Sequence, residues 1–196
     1  IEMRRSLKID TKSMYEAFIP PYDPIVPRHL RFTVDEATNY DGEMIRPLDE
    51  EELHTIIEKI KKEKIEAIAI CFINSYVNSQ NEKRAAEICR EKLPEAFVQY
   101  SSEILPQMGE YSRENTCVVS ACLGPVVQRY LINLDNKLKA AGFKGQLLIM
   151  QANQLAQSVP ELIKKPVYLL GSGPAAAPPC TLPRAAPRMR STDSRG

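Results

Sequence analysis

Several residue types that commonly build chemical sites are scarce in this sequence. It contains no tryptophan, and its two histidines are His29 and His54. A zinc site built on several histidines is therefore excluded from the sequence, and so is a histidine-dependent catalytic triad except around one of those two residues. The five cysteines form no paired motif of short spacing, and their odd number in apolar surroundings favours reduced thiols in a cytoplasmic protein.

An excess of charge of one sign and long hydrophobic runs are also lacking. The 26 basic and 25 acidic residues leave a net charge of +1, too little to attract a polyanion, so nucleic acid is not an expected partner. The longest apolar runs, such as "IEAIAICFI" at 65–73, fall well short of the roughly 20 residues of a membrane helix, so no membrane partner is expected. The first residues carry no secretory signal and begin with isoleucine, which indicates a processed chain or an internal piece.

The first fifty residues are expected to form an extended segment followed by a pair of strands. Residues 15–27 carry four prolines, which disfavour helix. "RHLRFTV" then alternates as a half-buried strand does, and the turn dipeptide Asp41-Gly42 precedes a second extended stretch. A helix follows, because Asp49 can cap its amides while Glu52 reaches back to the cap. Its apolar stripe is Leu53, Ile56, Ile57 and Ile60.

The segment 49–101 predicts an α/β arrangement. "IEAIAICFI" is a nearly unbroken apolar run, typical of a strand that is covered on both faces and central in a sheet. "NSQNEKRAAEICREKL" predicts a helix that ends at Pro94, and "AFVQYS" predicts a short strand. The order helix, strand, helix, strand indicates parallel pairing with right-handed crossovers.

The remainder predicts more helix and two further strands. Residues 110–140 follow helical spacing interrupted by Gly124-Pro125, so we expect two helical pieces that end near Gly142. "GQLLIMQ" predicts a strand, Ser158 and Glu161 frame a capping box, and "PVYLLG" predicts a last strand. The final stretch from Pro178 is rich in proline and arginine and is expected to be disordered.

The glycine-rich turn "GSGPAA" is a candidate anion or substrate site. Gly171, Ser172, Gly173 and Pro174 follow the last predicted strand and open a helix, where free amides converge. The turn lacks both the Lys-Ser/Thr ending of a P-loop and the glycine spacing of a dinucleotide fold, so an ordinary tight turn is the alternative. No general base for Ser172 can be identified.

Other candidates follow two predicted strand ends, where α/β sheets usually bind ligands. Gln151 and Asn153 could hold a polar substrate, or they could satisfy the backbone of their own loop. Glu103 and Arg113, with neighbouring Glu110 and Glu114, could take part in acid–base chemistry or hold a metal through water, or they could form a solvated salt network. No directly ligated metal is expected.

The order of several segments resembles the hydantoinase A/oxoprolinase family, which is related to the acetone and acetophenone carboxylase subunits. The matching stretches span residues 1 to about 177. They are "PIVPRHLRFTV", "DGEMIRPLDEEEL", "EAIAICFINSYVN" with "EKRAAEI", "SSEILPQMGEYSR", "LGPVVQRYL", "LLIMQAN" and "GSGPAA".

The resemblance implies an actin-like ATPase fold of the sugar kinase, actin and heat-shock chaperone type. It also implies an ATP- and Mg-dependent hydrolase that phosphorylates the carbonyl of a cyclic amide such as hydantoin, 5-oxoproline or a related lactam, together with a second hydantoinase B-type subunit. Phosphorylation supplies a good leaving group. The alternatives are an ATP-dependent ketone carboxylase subunit and a non-catalytic assembly module.

The resemblance also implies domain boundaries, and this sequence differs from the family pattern at three places. Residues 1–110 would be the C-terminal part of the family's N-terminal domain, 111–177 the start of the hydantoinase A domain, and 178–196 a disordered or aberrant tail. The first phosphate loop would precede Ile1, and the second is replaced by "CTLPRAAPRMRSTDSRG". Gln154 and Leu155 stand where many relatives carry two glycines. This chain is therefore expected to be an internal fragment, inactive and without a nucleotide site by itself.

Overall fold

A computed structural model describes residues 24–63 and 65–181, with side chains through Ala177. These described residues form three small sheets and six α-helices. The strands are β1 (Ala37–Thr38), β2 (Met44–Arg46), β3 (Ala67–Ile70), β4 (Phe97–Tyr100), β5 (Leu148–Met150) and β6 (Ala156–Ser158). The helices are α1 (Glu50–Lys62), α2 (Gln80–Lys92), α3 (Ser101–Ile104), α4 (Glu110–Ala140), α5 (Val159–Lys164) and α6 (Ser172–Thr181), with short 3-10 helices at Arg28–Leu30 and Pro166–Leu169.

The predicted turn and second strand are confirmed, but the first strand of the pair is Ala37–Thr38 and not "RHLRFTV". Strands β1 and β2 pair antiparallel around Gly42, whose φ of +90° suits glycine at this turn. "RHLRFTV" itself is not a strand, because it opens with a 3-10 helix and then packs on the start of α1. There Asp35 N donates to Glu52 Oε2 at 2.7 Å, and Asp35 O accepts from Asp49 N at 2.9 Å.

Helix α1 begins where its cap predicts. Asp49 Oδ1 accepts a hydrogen bond from Glu52 N at 2.9 Å. The predicted return hydrogen bond, from the backbone N–H of Asp49 to the Glu52 carboxylate, is wrong. The Glu52 carboxylate accepts from Asp35 N instead. The predicted apolar stripe is confirmed, since Leu53, Ile56, Ile57 and Ile60 are all buried.

The parallel α/β unit is confirmed. Strands β3 and β4 pair in parallel, with Ala67 opposite Phe97 and Ile70 opposite Tyr100. Residues of α1 and α2 pack with Ile70 and Val98 in one buried cluster, and α4 contacts both strands. Strand β3 stops at Ile70, so only part of "IEAIAICFI" is extended, and Ile73 is 66% exposed. Among the described residues β3 has one strand neighbour, so the predicted central position is not reached within them.

Helix α4 runs unbroken through Pro125, so the predicted division into two pieces is wrong. Gly124 has a packing role, because a Cβ added there would lie 2.2 Å from Phe97 Cδ1 on β4. The helix ends as predicted, with Gly142 in the left-handed region at φ +89°. By length and composition α4 is also apolar enough to cross a membrane, and in this structure it packs along β3 and β4.

The last part of the fold is a hairpin with short helices. Strands β5 and β6 pair antiparallel, and Val159 and Leu162 of α5 pack on Leu131 of α4. Helix α5 begins after Ser158, but the Ser158 side chain makes no capping hydrogen bond, so that part of the capping box is wrong.

The predicted last strand is also wrong. Residues Pro166–Leu169 of "PVYLLG" form a 3-10 helix, because Pro166 has no N–H for a strand ladder and Tyr168 N donates to Lys165 O at 3.2 Å. The predicted helix after the glycine turn is confirmed as α6. Its backbone continues to Thr181, so the first four residues of the predicted disordered tail are helical. Residues 182–196 of that tail and residues 15–23 of the predicted extended lead-in lie outside the described residues.

Candidate functional site

The carboxyl ends of β3 and β4 are joined by a buried carboxylate, Glu82 of α2, which has no exposed surface. Glu82 Oε1 accepts hydrogen bonds from Phe72 N and Ser75 Oγ, both at 2.8 Å, and from Ser101 Oγ at 2.5 Å. Glu82 Oε2 accepts from Ser102 N at 2.9 Å and from Ser102 Oγ at 2.7 Å. Five donors, from the loop after β3 and from the start of α3, therefore converge on one carboxylate, which compensates for its removal from water.

Arg113, in the first turn of α4, continues this network. Its side chain is 1% exposed, and its Nε donates to Ser101 Oγ at 3.0 Å. Its Nη2 donates to Phe72 O at 2.5 Å and pairs with Glu110, while the ring of Tyr76 lies 5.5 Å from Cζ. Nη1 is buried and has no hydrogen-bond partner among the described residues. The hydroxyl of Ser101 thus links a buried carboxylate to a buried guanidinium.

The sequence identified Arg113 and missed Glu82. Arg113 was a candidate for a cleft or a solvated salt network, and its burial removes the solvated alternative. Glu82 lies in "NEKRAAEI", where it has the appearance of an exposed helix residue. The available signal was the pair of serines at 101–102, which follow a strand and can donate to a carboxylate.

Glu103 lies apart from Arg113. It accepts from Gln99 Nε2 at 2.7 Å and lies 3.6 Å from Arg90 Nη2. Burial raises the pKa of the Glu103 carboxyl above its ordinary value, and Arg90 followed by Lys165 oppose that rise. Glu103 borders an open cleft of about 520 Å³. The structure therefore places Glu103 at a cleft wall and Arg113 inside the protein.

Gln151 and Asn153 lie in the turn between β5 and β6, because β5 belongs to an antiparallel hairpin and not to the parallel sheet. Gln151 is buried and donates to Gln157, and Asn153 Oδ1 accepts from Leu155 N at 3.0 Å. Both amides hold their own hairpin in this structure. Gln154 adopts φ +66°, a conformation that glycine adopts more easily.

The turn at Gly171–Pro174 is open. Gly171 has φ +76°, and a Cβ added at Gly171 or Gly173 would meet nothing within 4 Å. The described residues therefore leave space beside the Cα atoms of Gly171 and Gly173 at the start of α6.

Tyr168 connects this turn to the other candidates and was missed by the sequence analysis. Its carbonyl accepts from Ala152 N at 2.9 Å, in the hairpin loop that carries Gln151 and Asn153. Its hydroxyl donates to Ile104 O at 3.3 Å, next to Glu103. Tyr168 also precedes Gly171 by only three residues. Three candidate segments are thus held together by one aromatic side chain and its backbone.

The four thiols in the described part of the chain do not form a reactive centre. Cys71, Cys89, Cys117 and Cys122 are free cysteines in the described part of the chain. A hydrogen bond with Cys117 and then burial raise the pKa of Cys71, and burial raises the pKa of Cys89 to about 11. Thiols with raised pKa values carry little thiolate at neutral pH and are poor nucleophiles.

The described residues fit only part of a nucleotide or metal site. The amides at Gly171–Gly173 could face a phosphate, but no glycine pair with threonine accompanies them. Across 24–63 and 65–181, no three His, Cys, Asp or Glu side chains are grouped as metal ligands. No catalytic step through ATP or magnesium can therefore be derived from these residues alone.

Two family models match the chain in series. The hydantoinase/oxoprolinase N-terminal region matches residues 1–93, and the hydantoinase/oxoprolinase model matches residues 113–178. The chain belongs to the hydantoinase/oxoprolinase family. The resemblance found in the sequence is confirmed, since both models follow each other in the expected order.

Relatives within the hydantoinase/oxoprolinase family include both hydrolases and carboxylases. The chain is 37% identical to caprolactamase subunit alpha of Pseudomonas jessenii over 84% of its own length. It is 29% identical to the acetophenone carboxylase gamma subunit of Aromatoleum aromaticum over 75% of its length. It spans 24% and 20% of these two relatives, which are both named as subunits.

Solved structures of the family have the same mixture of helix and sheet. The ATP-dependent caprolactamase of Pseudomonas jessenii matches with a TM-score of 0.76 and 35% identity, covering 84% of this chain and 24% of that chain. The nucleotide-free acetone carboxylase matches with a TM-score of 0.70 and 26% identity, covering 84% and 23%. The predicted α/β class is therefore confirmed.

Proposed function

We propose that the chain is a segment of the ATP-dependent subunit of an enzyme that opens a cyclic amide. The observation that carries this proposal is the higher similarity to caprolactamase subunit alpha, 37% identical, than to the acetophenone carboxylase gamma subunit, 29% identical. The structural comparison points the same way, with TM-scores of 0.76 for caprolactamase and 0.70 for acetone carboxylase. The substrate class is a lactam, hydantoin or 5-oxoproline.

The proposed chemistry is activation of the amide carbonyl by phosphoryl transfer. The complete subunit would have an actin-like ATPase fold and would use ATP with magnesium to convert the carbonyl oxygen into a leaving group, after which water opens the ring. Most of the protein's contribution to such a reaction is positioning and charge stabilisation. In this segment the turn at Gly171–Gly173, which has free space beside both glycines, is the candidate site for an anion, and the Tyr168 hydroxyl bonds Ile104 O of α3.

The second candidate is an ATP-dependent ketone carboxylase subunit. It is favoured by the match to acetone carboxylase over 84% of this chain at a TM-score of 0.70. The two chemistries share carbonyl activation and differ in the next step, because water opens a lactam whereas an activated enolate takes up bicarbonate. A third candidate from another class, a non-catalytic assembly module, predicts a stable complex without nucleotide binding.

The proposal includes a partner subunit and a cytoplasmic location. Both relatives are named as subunits, alpha and gamma, and the partner proposed here is of the hydantoinase B type. The four free cysteines in the described residues support a reducing compartment.

The test is substrate-dependent ATP hydrolysis by the complete polypeptide, purified with its partner subunit. Caprolactam, 5-oxoproline and hydantoin are compared with acetone and acetophenone, the ketones being supplied with bicarbonate. The expected result is ATP hydrolysis stimulated by a cyclic amide, with the ring-opened amino acid as product by mass spectrometry. Stimulation by a ketone only in the presence of bicarbonate would instead assign the carboxylase function.

Each measurement includes a control for uncoupled ATP hydrolysis. Acyclic N-methylacetamide has the same amide bond but no ring to open, so it should not stimulate the enzyme. If a folded, partner-bound complex neither binds ATP nor responds to any of the five compounds, the assembly-module candidate replaces both enzymatic ones.

A further inference from the structure

The cleft beside β4 is a separate surface from the candidate site at the glycine turn. Its volume of about 520 Å³ lies within the range of roughly 300–1,000 Å³ that is typical of small-molecule sites. Its lining includes neither the Gly171–Pro174 turn nor the β5–β6 hairpin. Phe97 of β4, Pro125 of α4 and Ile163 of α5 contribute apolar walls, so the hydrocarbon part of a ligand can be buried there.

The charged residues of this cleft are separated by sign along β4. At the amino ends of the two strands, Glu66 directly precedes β3 and Glu95 lies two residues before β4. Both residues are exposed, and neither carboxylate pairs with a cation among residues 24–63 and 65–181. The cations that line the cleft are Arg90 and Lys164, and both lie near Glu103, beyond the carboxyl end of β4. Strand β4 itself rises about 10 Å between its first and last residues.

Arg90 is held rigidly but keeps hydrogen-bond donors for a ligand. Its Nη2 donates to Val98 O at 3.1 Å and lies 3.6 Å from Glu103 Oε2, and its Cζ lies 5.7 Å from the centre of the Tyr100 ring. Nε and Nη1 donate to no acceptor in the described part of the chain, and the side chain is 49% exposed. A guanidinium that is fixed in this way is preorganised to bind a carboxylate.

We propose that the cleft binds a linear amino acid whose carboxylate and ammonium groups are separated by a chain of methylene groups. Nε and Nη1 of Arg90 donate to the carboxylate, and the methylene chain packs on Phe97 and Pro125. Glu66 and Glu95 accept from the ammonium group. A simple anion fits less well, because three carboxylates and two cations line the cleft. A simple amine leaves the donors of Arg90 without an acceptor.

The source of this ligand rests on the proposed function, whereas the charge arrangement of the cleft does not. Opening the ring of a lactam with water gives a linear amino acid with one carboxylate and one ammonium group. The cleft is then a second site for the product of the enzyme, away from the Gly171–Pro174 turn.

The test is a methyl NMR titration of the complete polypeptide with its partner subunit, without ATP. Ala96 and Ile163 line the cleft, and Ile60 of α1 lies outside it and is the reference. The ligand is ε-aminocaproate, which is compared with caproate and hexylamine, each lacking one of the two charged groups. Saturable shifts of Ala96 and Ile163 are expected with ε-aminocaproate, and at least about tenfold weaker binding with the two analogues. Equal affinity for caproate or hexylamine would overturn the proposal.

Arg90→Gln should weaken the binding of ε-aminocaproate at least about tenfold. Arg84→Gln is the matched control, because Arg84 lies on the same helix, has a 51% exposed side chain and pairs with Glu50 outside the cleft. Its affinity should equal that of the parent. Equal affinity of the Arg90→Gln variant and the parent would contradict the assigned carboxylate position.

A second variant is needed because Arg90 also bonds Val98 O, so that its replacement can affect folding. The double variant Glu66→Gln/Glu95→Gln changes two exposed residues and should also weaken binding at least about tenfold. Glu87→Gln/Glu91→Gln, with side chains 65% and 74% exposed outside the cleft, removes the same charge and should bind as the parent does. Equal weakening by both double variants would overturn the proposal, since net charge alone would then explain the effect.

The outcome for the cleft can be separated from that for the proposed function. Binding of ε-aminocaproate at Ala96 without any stimulation of ATP hydrolysis by a cyclic amide would keep the amino-acid site and contradict the proposed function. Amide-stimulated hydrolysis without shifts at Ala96 and Ile163 would overturn the cleft proposal alone. Shifts that occur in the isolated polypeptide but disappear in the complex would also overturn it, because the partner subunit would then cover the cleft.

Discussion

Glu82 Oε1 and Ser101 Oγ lie 2.5 Å apart, and this contact ties helix α2 to the end of β4. The same carboxylate also holds Phe72 N in the loop after β3. The carboxyl ends of both parallel strands are thus positioned by one buried acceptor, and Arg113 reaches the same serine from α4.

Replacing Glu82 with glutamine should lower the free energy of unfolding by about 2–3 kcal/mol, because an NH₂ group would then face donors and leave buried groups unpaired. Urea unfolding measures the change. Glu87→Gln is the matched control, since Glu87 lies on the same helix with a side chain 65% exposed, and its effect should stay within about 0.5 kcal/mol. Equal effects of the two substitutions would show that the Glu82 network does not stabilise the fold.

Gly124→Ala should destabilise the chain by about 1–3 kcal/mol, although alanine is the better helix former by about 1 kcal/mol. The reason is the approach of the added Cβ to within 2.2 Å of the Phe97 ring. Gly173→Ala on α6 is the control, because its Cβ meets nothing within 4 Å. A double-mutant cycle with Phe97→Leu should recover at least half of the loss. If the effects of the two substitutions on the free energy of unfolding simply add, the proposed clash is contradicted.

Gln154→Gly should raise the free energy of unfolding by up to about 1 kcal/mol, since it removes the steric cost of a left-handed residue. Gln154 has φ +66° in the β5–β6 turn. Leu155→Gly is the control, because Leu155 does not have a positive φ and glycine there adds only chain entropy to the unfolded state. Thermal unfolding compares the variants. Greater destabilisation by the first substitution than by the second would contradict the assigned turn.

The raised pKa of Glu103 predicts that the stability of the fold depends on pH. Burial raises the pKa of its carboxyl above the ordinary value of 4.5. The stabilising contribution of the protonated carboxyl is fully present below the unfolded-state pKa and is lost as the pH rises through the folded-state pKa. Glu103→Gln, which stays neutral, should therefore stabilise the chain relative to the parent by up to roughly 1 kcal/mol at pH 7, and by less at pH 4.

The measurement for Glu103 is urea unfolding of parent and variant from pH 4 to pH 8. Glu91→Gln, which removes a carboxylate with a 74% exposed side chain, is the control and should give a nearly constant difference. A difference for Glu103→Gln that shrinks as the pH rises would contradict the assigned direction.

Local signals predicted the elements whose cause is local. Asp49 begins α1 through a hydrogen bond to a residue three positions away, and Gly142 ends α4 by its own φ of +89°. Signals that depend on distant contacts failed. The Gly124-Pro125 pair predicts a break, yet α4 is continuous there, and Gly124 packs against Phe97, which lies 27 residues earlier in the sequence. Arg113 is a candidate from the sequence, but its burial depends on distant contacts and was therefore not predicted.

Local sequence signals were sufficient to predict the start of α1, its apolar stripe, the parallel order of β3 and β4, and the family. These features depend on periodicity and on neighbours within a few residues, or on an ordered series of motifs. Three features follow from packing between distant segments: the burial of Glu82, its link through Ser101 to Arg113, and the bonds of Tyr168 to Ala152 and Ile104. These side chains meet across separations of 12 to 64 residues, and their environment exists only after the strands and helices have packed.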